Sequence, residues 1–348
     1  MQPMNEINQA VIVASAHGPQ LSQLTRDRPK AMQPVLGKPI VIRLMDRLHE
    51  AGIQHFIVVV GEEDGALASY LSGGWVPDAK ISIVLQAQRR GPADAVTRAT
   101  SYLTGPFLLA SSDNLTPPDH IANLLECFKQ THAEMTLSAV ASTNGENLPA
   151  IDVEGDYVTA ISPASYKQPG SLSAFLIYAC SKRVLNHLNP TVRDDDEMTS
   201  TVQSLLASGE AVSYQTAEWQ MSLTNEIDLL TINKRYLREG RDTHILSEVP
   251  SSVRITPPVR IDPQVSVGPN VKIGPNVYLE SGSHIGPDAI LWDTVVLANA
   301  GVPDKEVVHG QIVTRRTRII EPQVEMEKTV AKKPKWDLEA MRKPRDEA

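Results

Sequence analysis

The fold of the C-terminal part of the chain is decided by one periodic stretch, "VRITPPVRIDPQVSVGPNVKIGPNVYLESGSHIGPDAILWDTVVLANA", residues 253–300. Its apolar positions recur every six residues, at Val253, Val259, Val265, Val271 and Val277, and again two places later, at Ile255, Ile261, Val267, Ile273, Leu279 and Ile285. Pro and Gly pairs such as Gly268-Pro269 and Gly274-Pro275 mark the corners. An apolar marker and a turn in each hexapeptide are typical of a flat-sided parallel β-helix, in which equivalent residues stack from coil to coil. The stretch therefore predicts a short hexapeptide-repeat left-handed β-helix over residues 253–319.

The residues before this stretch alternate between strand-like and helix-like segments. Four apolar runs are predicted strands: "QAVIVAS" (9–15), "HFIVVVG" (55–61), "ISIVLQ" (81–86) and "PFLLASSD" (106–113). Between them, "PIVIRLMDRLHEAG" (39–52) and "PADAVTRATSYL" (92–103) have helical spacing. This alternation predicts an α/β, Rossmann-like doubly wound domain over residues 1–240, with a parallel sheet covered by helices.

Ligands of such sheets bind beyond the carboxyl ends of the strands. Residues 14–30, 86–94 and 111–114 each follow a predicted strand, so we expect them to share one rim of the sheet.

Two further segments complete the predicted organisation. Residues 241–252 are predicted to be a linker. Residues 320–348 are charged, mixed in sign and poor in apolar spacing, which predicts a flexible tail. A docking segment built on Trp336, Leu338 and Met341 is the alternative for that tail.

Composition narrows the class of protein. The 348 residues are 41% hydrophobic and carry a formal net charge of −8, so we expect no nucleic-acid or acidic-lipid partner. Cys127 and Cys180 are the only cysteines. Two cysteines in a chain of this length favour a reducing compartment and do not indicate a cysteine metal site. The first residues, "MQPMNEINQ", lack the order of a signal peptide, and no apolar run has membrane-spanning length. We therefore expect a cytoplasmic protein with no membrane partner.

The loop after the first strand carries a family resemblance. In "VIVASAHGPQLSQLTRDRPKAMQPVLGKP" (11–39), nine residues keep the spacing of the motif L-A-A-G-x-G-T-R-L-x-P-L-T-x-x-x-P-K-x-x-x-P: Val13, Ala14, Gly18, Leu21, Leu24, Thr25, Pro29, Lys30 and Pro34. That motif belongs to the sugar-1-phosphate nucleotidyltransferases, and the chain resembles this family. The resemblance implies a nucleotidyltransferase domain followed by a β-helix, as in mannose-1-phosphate guanylyltransferase.

The resemblance also implies a reaction and its partners. In this family a sugar-1-phosphate oxygen attacks the α-phosphorus of a nucleoside triphosphate, assisted by Mg²⁺, and yields an NDP-sugar and pyrophosphate. Crowded negative charge makes catalysis a matter of positioning and charge neutralisation. The expected partners are therefore a nucleoside triphosphate or NDP-sugar, a sugar-1-phosphate and Mg²⁺.

Individual roles follow from the matched positions. Lys30 matches the catalytic lysine of the P-K pair, and Asp113 matches the strand-end aspartate that binds the metal. Ala14, Ser15, Gly18, Gln86 and Gly91 match nucleotide-binding positions, with Gln86 able to pair with a base edge through its amide. Tyr178, Thr224 and Asn225 are the residues left on the sugar side.

The chain also departs from the family pattern. Ala16 replaces the first loop glycine, and Gln20 stands where the family has its transition-state arginine; Arg26 and Arg28 are candidate replacements. Pro163 and Ala164 occupy the positions of the sugar-contacting Glu and Lys. The second metal aspartate becomes Met221 or Ser222.

These losses leave three functions open. The first is active nucleotidyl transfer. The second is a catalytically impaired paralogue that binds a sugar nucleotide, or regulates or scaffolds a catalytic relative. The third is acyl transfer in the β-helix with His284 as base. The apolar faces of the β-helix also predict a homo-oligomer or hetero-oligomer.

Overall fold

The computed structural model describes residues 6–15, 19–73, 75–76, 78–88, 90–142, 148–163, 171–189, 198–240 and 242–322. Gly18, Ala16, Ala164 and the tail residues Trp336, Leu338 and Met341 lie outside these ranges. Among the described residues, no helix combines the length and the apolar character needed to cross a membrane.

The N-terminal region (residues 6–240) is built on a nine-stranded sheet. Its strands are β1 (Gln9–Val13), β4 (His55–Val60), β5 (Lys80–Leu85), β6 (Phe107–Ser111), β7 (Met135–Ala141), β8 (Ala150–Glu154), β9 (Tyr157–Ser162), β10 (Leu172–Cys180) and β11 (Val212–Thr216). A two-residue pair, β2 (Pro34–Val35) and β3 (Lys38–Pro39), lies apart from it. The helices are α1 (Ser22–Thr25), α2 (Ile40–Glu50), α3 (Gly65–Ser72), α4 (Pro92–Ala99), α5 (His120–Thr131), α6 (Thr199–Ala207) and α7 (Asp228–Glu239).

The strand order is β5-β4-β1-β6-β10-β7-β11-β9-β8. Strands β5, β4, β1 and β6 are parallel, as predicted, so their carboxyl ends meet at one rim. Strand β10 is antiparallel to both β6 and β7, so the sheet is mixed rather than purely parallel. The prediction missed this because β10 is as continuously apolar as the parallel strands.

The central strands are buried on both faces, which explains their unbroken apolar sequences. In β1, Ala10 and Ile12 belong to one hydrophobic cluster, whereas Val11 and Val13 belong to another. Helix α2 contributes to the first cluster and helix α4 to the second. Helices therefore cover both sheet faces, and the rim at the strand ends is left for ligands.

The C-terminal strands form stacked coils consistent with a left-handed β-helix. They are β12 (Arg254–Ile255), β13 (Val259–Ile261), β14 (Ser266–Val267), β15 (Lys272–Ile273), β16 (Val277–Leu279), β17 (His284–Ile285), β18 (Ile290–Val296), β19 (Gly301–Val302), β20 (Val307–Val313) and β21 (Arg318–Ile320). Arg254 pairs in parallel with Lys272, three hexapeptides further on. From Val277, which pairs with Thr294, each coil is one residue shorter. The hexapeptide prediction is thus confirmed at the level of fold.

Two predicted segments adjoin the β-helix. Part of the predicted linker lies along the first coil: the Ile261 amide donates to His244, and the Leu246 amide donates to Ile261. The antiparallel strand β21 follows β20 on the last coil, where Val307 and Ile320 are exposed. The exact domain boundaries and assembly through the β-helix stay predictions.

The β-helix packs against the N-terminal region through a shared apolar cluster. Tyr278, Val295 and Ile312 occupy one stacked row on the outer face of the coils, and all are buried. They pack with residues of the first loop, of the start of α2 and of α7: Leu21, Leu24, Val35, Leu36, Ile40, Leu229, Leu230, Ile232, Tyr236 and Leu237. The β-helix therefore lies directly against the loop that carries the family motif.

Candidate functional site

The predicted rim is present, and backbone hydrogen bonds fix its members side by side. The Ala14 amide donates to the Val59 carbonyl at 2.8 Å, and the Gln86 amide donates to Val60 at 2.8 Å. On the other side of β1, the Ser112 amide donates to Val13 at 3.0 Å. Residues that follow β1, β5 and β6 are thus held at one edge of the sheet.

Lys30 and Asp113 meet at this rim. Lys30 begins a 3₁₀ turn (Lys30–Met32), and its Nζ lies 2.8 Å from Asp113 Oδ2. The Lys30 side chain is 12% exposed and that of Asp113 is 2% exposed. Residues 14–30 and 111–114 therefore meet at one rim, as the strand ends lead us to expect. The chemical roles of Lys30 and Asp113 stay predictions.

Asp113 is held by three donors. Its Oδ1 accepts from the Ser111 hydroxyl at 2.8 Å, and its Oδ2 accepts from the Leu223 amide at 2.8 Å as well as from Lys30. A buried carboxylate with this many charge-assisted contacts is firmly oriented. Asp113 therefore anchors the Lys30 ammonium in this structure.

Gln86 is engaged in a buried polar chain. Its Oε1 accepts from the Ser15 hydroxyl, and its Nε2 donates to Gly91 O at 3.2 Å and to Asp94 Oδ2 at 2.7 Å. Both amide hydrogens are thus used, and Gln86 is only 1% exposed. Base reading by this amide, as predicted from the sequence, would require these bonds to break.

The same hydrogen-bonded side chains, Ser15, Gln86 and Asp94, fix the start of α4. Asp94 lies in the first turn of α4, where a carboxylate is favourable, and also pairs with Arg98 at 2.8 Å. Gly91 precedes the helix with φ +86°, a conformation that favours glycine. Ser15 and Gln86 thereby tie the ends of β1 and β5 to the α4 loop. Ala14 is buried and its amide is already bonded to Val59.

The residues predicted for the sugar side are not brought together in one open pocket. Tyr178 is 0% exposed and packs in the cluster under α4 and α6, so its ring offers no accessible surface to a sugar. Thr224 and Asn225 are bound to Asp228, the first residue of α7: the Thr224 hydroxyl and both backbone amides donate to Asp228 Oδ2 at 2.7–2.8 Å. Their observed contacts are structural.

The substituted family positions also have observed places. Gln20 is exposed in the 3₁₀ turn Pro19–Leu21, and Pro163 is half-buried after β9. Arg28, one candidate replacement for the missing arginine, pairs with Glu280 of the β-helix at 2.7 Å, whereas Arg26 is exposed. Met221 exchanges two backbone hydrogen bonds with Leu115, at 2.8 and 3.0 Å. His284 is exposed on the outside of β17.

The described residues do not fit the predicted magnesium site. Both oxygens of Asp113 already accept hydrogen bonds, and Met221 or Ser222 supplies no second carboxylate. Within the described ranges, no three His, Cys, Asp or Glu side chains cluster so that they could hold a metal ion. Mg²⁺ normally requires oxygen ligands, most often carboxylates together with substrate phosphates. No step of the reaction is therefore assigned to a metal.

Sequence reasoning missed several residues that shape the rim. Ser111 and the Leu223 amide orient Asp113, and Asp94 orients Gln86. Asp94 could have been found from its place in the first turn of a helix that follows a strand-end loop. Contacts made by a distant backbone amide, such as that of Leu223, leave no signal in sequence spacing.

Comparison with known proteins identifies the lineage. A family profile described as nucleotidyl transferase matches residues 9–221, and one described as GMPPB C-terminal domain matches residues 255–332. The chain is 28% identical over 321 residues to the bifunctional protein GlmU of Methanococcus vannielii, covering 89% of this chain and 74% of that protein. It is 26% identical over 215 residues to the UTP–glucose-1-phosphate uridylyltransferase AglF of Haloferax volcanii, covering 59% of this chain and 86% of that protein. It spans 57% of the length of GlmU from Methanococcus maripaludis.

Solved structures have the same fold. A UDP-glucose pyrophosphorylase complexed with UDP-glucose superposes with a TM-score of 0.60 at 14% identity, covering 67% of this chain and all of that one. The inositol-1-phosphate CTP transferase of T. maritima superposes with a TM-score of 0.54 at 18% identity, covering 64% and 91%. At these identities the likeness shows the fold alone.

Proposed function

Because the chain belongs to the nucleotidyl transferase family, in its sugar-1-phosphate class, we propose that it transfers a nucleotidyl group from a nucleoside triphosphate to a sugar-1-phosphate. The observation that carries this proposal is the Lys30–Asp113 pair at the rim of the sheet. It supplies a fixed cation at the edge where ligands of such sheets bind. The curated relatives of this chain include a UTP–glucose-1-phosphate uridylyltransferase.

In the proposed reaction an oxygen of the sugar phosphate attacks the α-phosphorus of the triphosphate. The new P–O bond forms as the bond to the β-phosphate oxygen breaks, and pyrophosphate leaves with the electron pair. Lys30 turns from Asp113 towards the phosphates and neutralises the charge that develops there. Asp113 holds the Lys30 ammonium at the rim until a phosphate takes the place of the Asp113 carboxylate as its partner.

The absence of charged residues that the family has at this site favours a second candidate function. Gln20 is neutral and exposed where the family has an arginine, and Met221 is engaged in a backbone bridge near the second metal position. Loss of a single transition-state contact typically lowers turnover by about 10²–10³-fold. These substitutions favour a chain that binds a sugar nucleotide and turns over slowly or not at all.

One experiment separates the two functions. The purified chain is incubated with MgCl₂, each common nucleoside triphosphate and a panel of sugar-1-phosphates, and pyrophosphate release is measured. Release with any pair supports nucleotidyl transfer. Absence of release with every pair, together with calorimetric binding of an NDP-sugar, supports the impaired paralogue. If neither release nor binding is found, both are rejected.

A variant sharpens the distinction. Gln20→Arg restores the residue type that the family uses at this position. In an impaired paralogue, we expect it to raise pyrophosphate release by at least about 10-fold, because one positive charge returns to the phosphate site. Gln23→Arg, on an exposed position of the same loop, is the control for a general gain of positive charge.

A further inference from the structure

We propose that the β-helix positions the loop that carries Lys30, through the pairing of Glu280 with Arg28. Glu280 is thus a positioning residue of the rim although it lies in a different region of the chain. The part of this inference that concerns nucleotide affinity rests on the proposed function.

Glu280 is rigidly held within the coils. Its backbone amide donates to Val296 O at 2.8 Å, and its Oε2 accepts from the Ala298 amide at 2.8 Å. The other oxygen, Oε1, accepts from Arg28 Nη1 at 2.7 Å. The side chains of Arg28 and Glu280 are 30% and 12% exposed. A buried carboxylate fixed by its own backbone surroundings gives a directed, charge-assisted contact rather than a mobile surface pair.

The contact between Arg28 and Glu280 affects Lys30 because a short, hydrogen-bonded stretch of backbone joins Arg28 to Lys30. Its carbonyl accepts from Gln33 Nε2 at 3.0 Å, and the same amide nitrogen donates to Leu24 O at 3.0 Å. Only Pro29 separates Arg28 from Lys30, and its ring fixes φ. The Met32 amide then donates to Pro29 O at 2.9 Å, closing the turn that begins at Lys30. The position of Arg28 therefore constrains where Lys30 enters the rim.

A second contact holds the far end of the same loop. The Gly37 amide donates to the Tyr278 hydroxyl at 3.0 Å, and that hydroxyl donates to Asp262 Oδ2 at 2.7 Å. Tyr278 and Glu280 stand on consecutive outward-facing positions of the same coil. The loop from residue 28 to residue 37, with Lys30 inside it, is thus held at both ends by the β-helix.

This pairing also assigns a role to Arg28. Because its guanidinium binds Glu280, Arg28 attaches the loop to the β-helix and does not replace the arginine that is missing at Gln20. Removal of Glu280 should change nucleotide affinity differently according to whether Arg28 binds a phosphate or attaches the loop to the β-helix. Removing Glu280 would free a phosphate-binding Arg28 and leave nucleotide affinity unchanged or stronger, whereas it would weaken affinity if Arg28 only docks the loop.

The test is a double-mutant cycle on the full-length chain. The variants are Arg28→Gln, Glu280→Gln, the double variant, and the exchange Arg28→Glu with Glu280→Arg. Glu306→Gln is the matched control, because it breaks the Glu306–Arg318 pair at 2.8 Å within the β-helix without touching the loop. Two quantities are measured: hydrogen exchange of the peptide that covers residues 22–33, and affinity for the triphosphate that the wild type binds most tightly among ATP, GTP, CTP, UTP and dTTP.

We expect each single variant to accelerate exchange of the loop peptide and to weaken triphosphate affinity about 10-fold, typical of a coupling between two sites. The double variant should be no weaker than either single one, and the charge exchange should recover part of the loss. Glu306→Gln should leave both quantities at wild-type values.

Two results overturn the inference. Unchanged loop exchange in Glu280→Gln shows that the β-helix does not hold the loop. Wild-type affinity in Glu280→Gln with weak binding in Arg28→Gln assigns Arg28 to the phosphate instead. If the wild type binds no triphosphate, the proposed function fails, and loop exchange alone still decides whether Glu280 positions the loop.

Discussion

At the scale of single residues, the buried Lys30–Asp113 pair contributes to the stability of the rim. Removing one partner of a buried ion pair leaves the other charge uncompensated, which typically costs about 3–5 kcal/mol. Asp113 keeps its bonds from Ser111 and Leu223 in a Lys30 variant, so the cost should fall at the lower end of this range. The same ammonium is the cation that the proposed reaction uses.

We therefore predict that Lys30→Gln lowers the free energy of unfolding by about 3 kcal/mol. The double variant Lys30→Gln with Asp113→Asn removes both charges and should recover most of that loss. Neither variant should release pyrophosphate. Urea denaturation and the pyrophosphate assay measure the two effects. A double variant as unstable as the single one would show that the charges are not coupled.

His120 makes stability depend on pH. The ring is buried, and its Nε2 lies 2.8 Å from the Ser138 hydroxyl. Burial, partly opposed by the negative charge of Asp119, lowers the pKa of His120 to about 4. Between pH 6.5 and 4 the unfolded chain therefore binds a proton that the folded chain excludes, so this contribution to stability is present above pH 6.5 and is lost as the pH falls.

For His120 we predict a loss of about 2 kcal/mol between about pH 7.5 and pH 5, on the scale of about 1.4 kcal/mol per pKa unit. Protonation of carboxylates contributes to the total change, so the comparison is with His120→Gln, which does not titrate. The urea midpoint of the wild type should fall more steeply than that of the variant. Parallel slopes for the two proteins would contradict the assignment.

At the scale of elements, Gly37 is a position of the first loop where the backbone and its surroundings both require glycine. Gly37 has φ +78°, and a Cβ placed there would lie 2.3 Å from the Arg260 guanidinium. Arg260 cannot move away freely, because it bonds Asp262 Oδ1 at 2.7 Å and Asp242 O at 3.0 Å. A side chain at this position would therefore separate the loop from the β-helix.

We predict that Gly37→Ala costs about 2–3 kcal/mol, of which about 1–2 kcal/mol comes from the left-handed backbone. Gly209 is the matched control, because it has φ +74° and a Cβ added there would meet no atom within 4 Å. Gly209→Ala should show the backbone cost alone. Equal losses for the two variants, measured by urea denaturation, would mean that Arg260 does not oppose the methyl group.

At the scale of the whole molecule, the sequence predicts architecture better than it predicts the site. Hydrophobic periodicity is a local property, so the strands around Val11 and Val58 and the hexapeptide coils from Val253 follow from it directly. The antiparallel direction of β10 does not, because burial on both faces looks alike in either direction.

The site depends on contacts that sequence spacing does not encode. The meeting of Lys30 and Asp113 is predictable because both follow strands that end at one rim. The sequence also predicts a Gln86 amide available to a base, but its partners, Ser15 and Asp94, become neighbours only in the folded chain. Likewise, nothing local to Arg28 indicates that its partner lies in the β-helix.

The shared apolar cluster makes a final prediction about the unit of folding. Ile312 is fully buried where the β-helix meets the first loop and α7, whereas Val307 on the same strand is 56% exposed. Truncating a fully buried Ile to Ala typically costs about 2–5 kcal/mol, but an exposed site changes stability by less than about 0.5 kcal/mol. Because the cluster joins both regions, the loss of stability caused by truncating Ile312 should affect both the β-helix and the N-terminal region.

We expect Ile312→Ala to lower hydrogen-exchange protection in the β-helix coils and in the first loop and α7 together, with Val307→Ala as the matched control. Native-state exchange resolves the regions separately, since cooperative units open as blocks. A loss of protection confined to the coils would show that the β-helix unfolds independently. In that case it could not hold the Lys30 loop in place, because a positioning surface must be as stable as the element it positions.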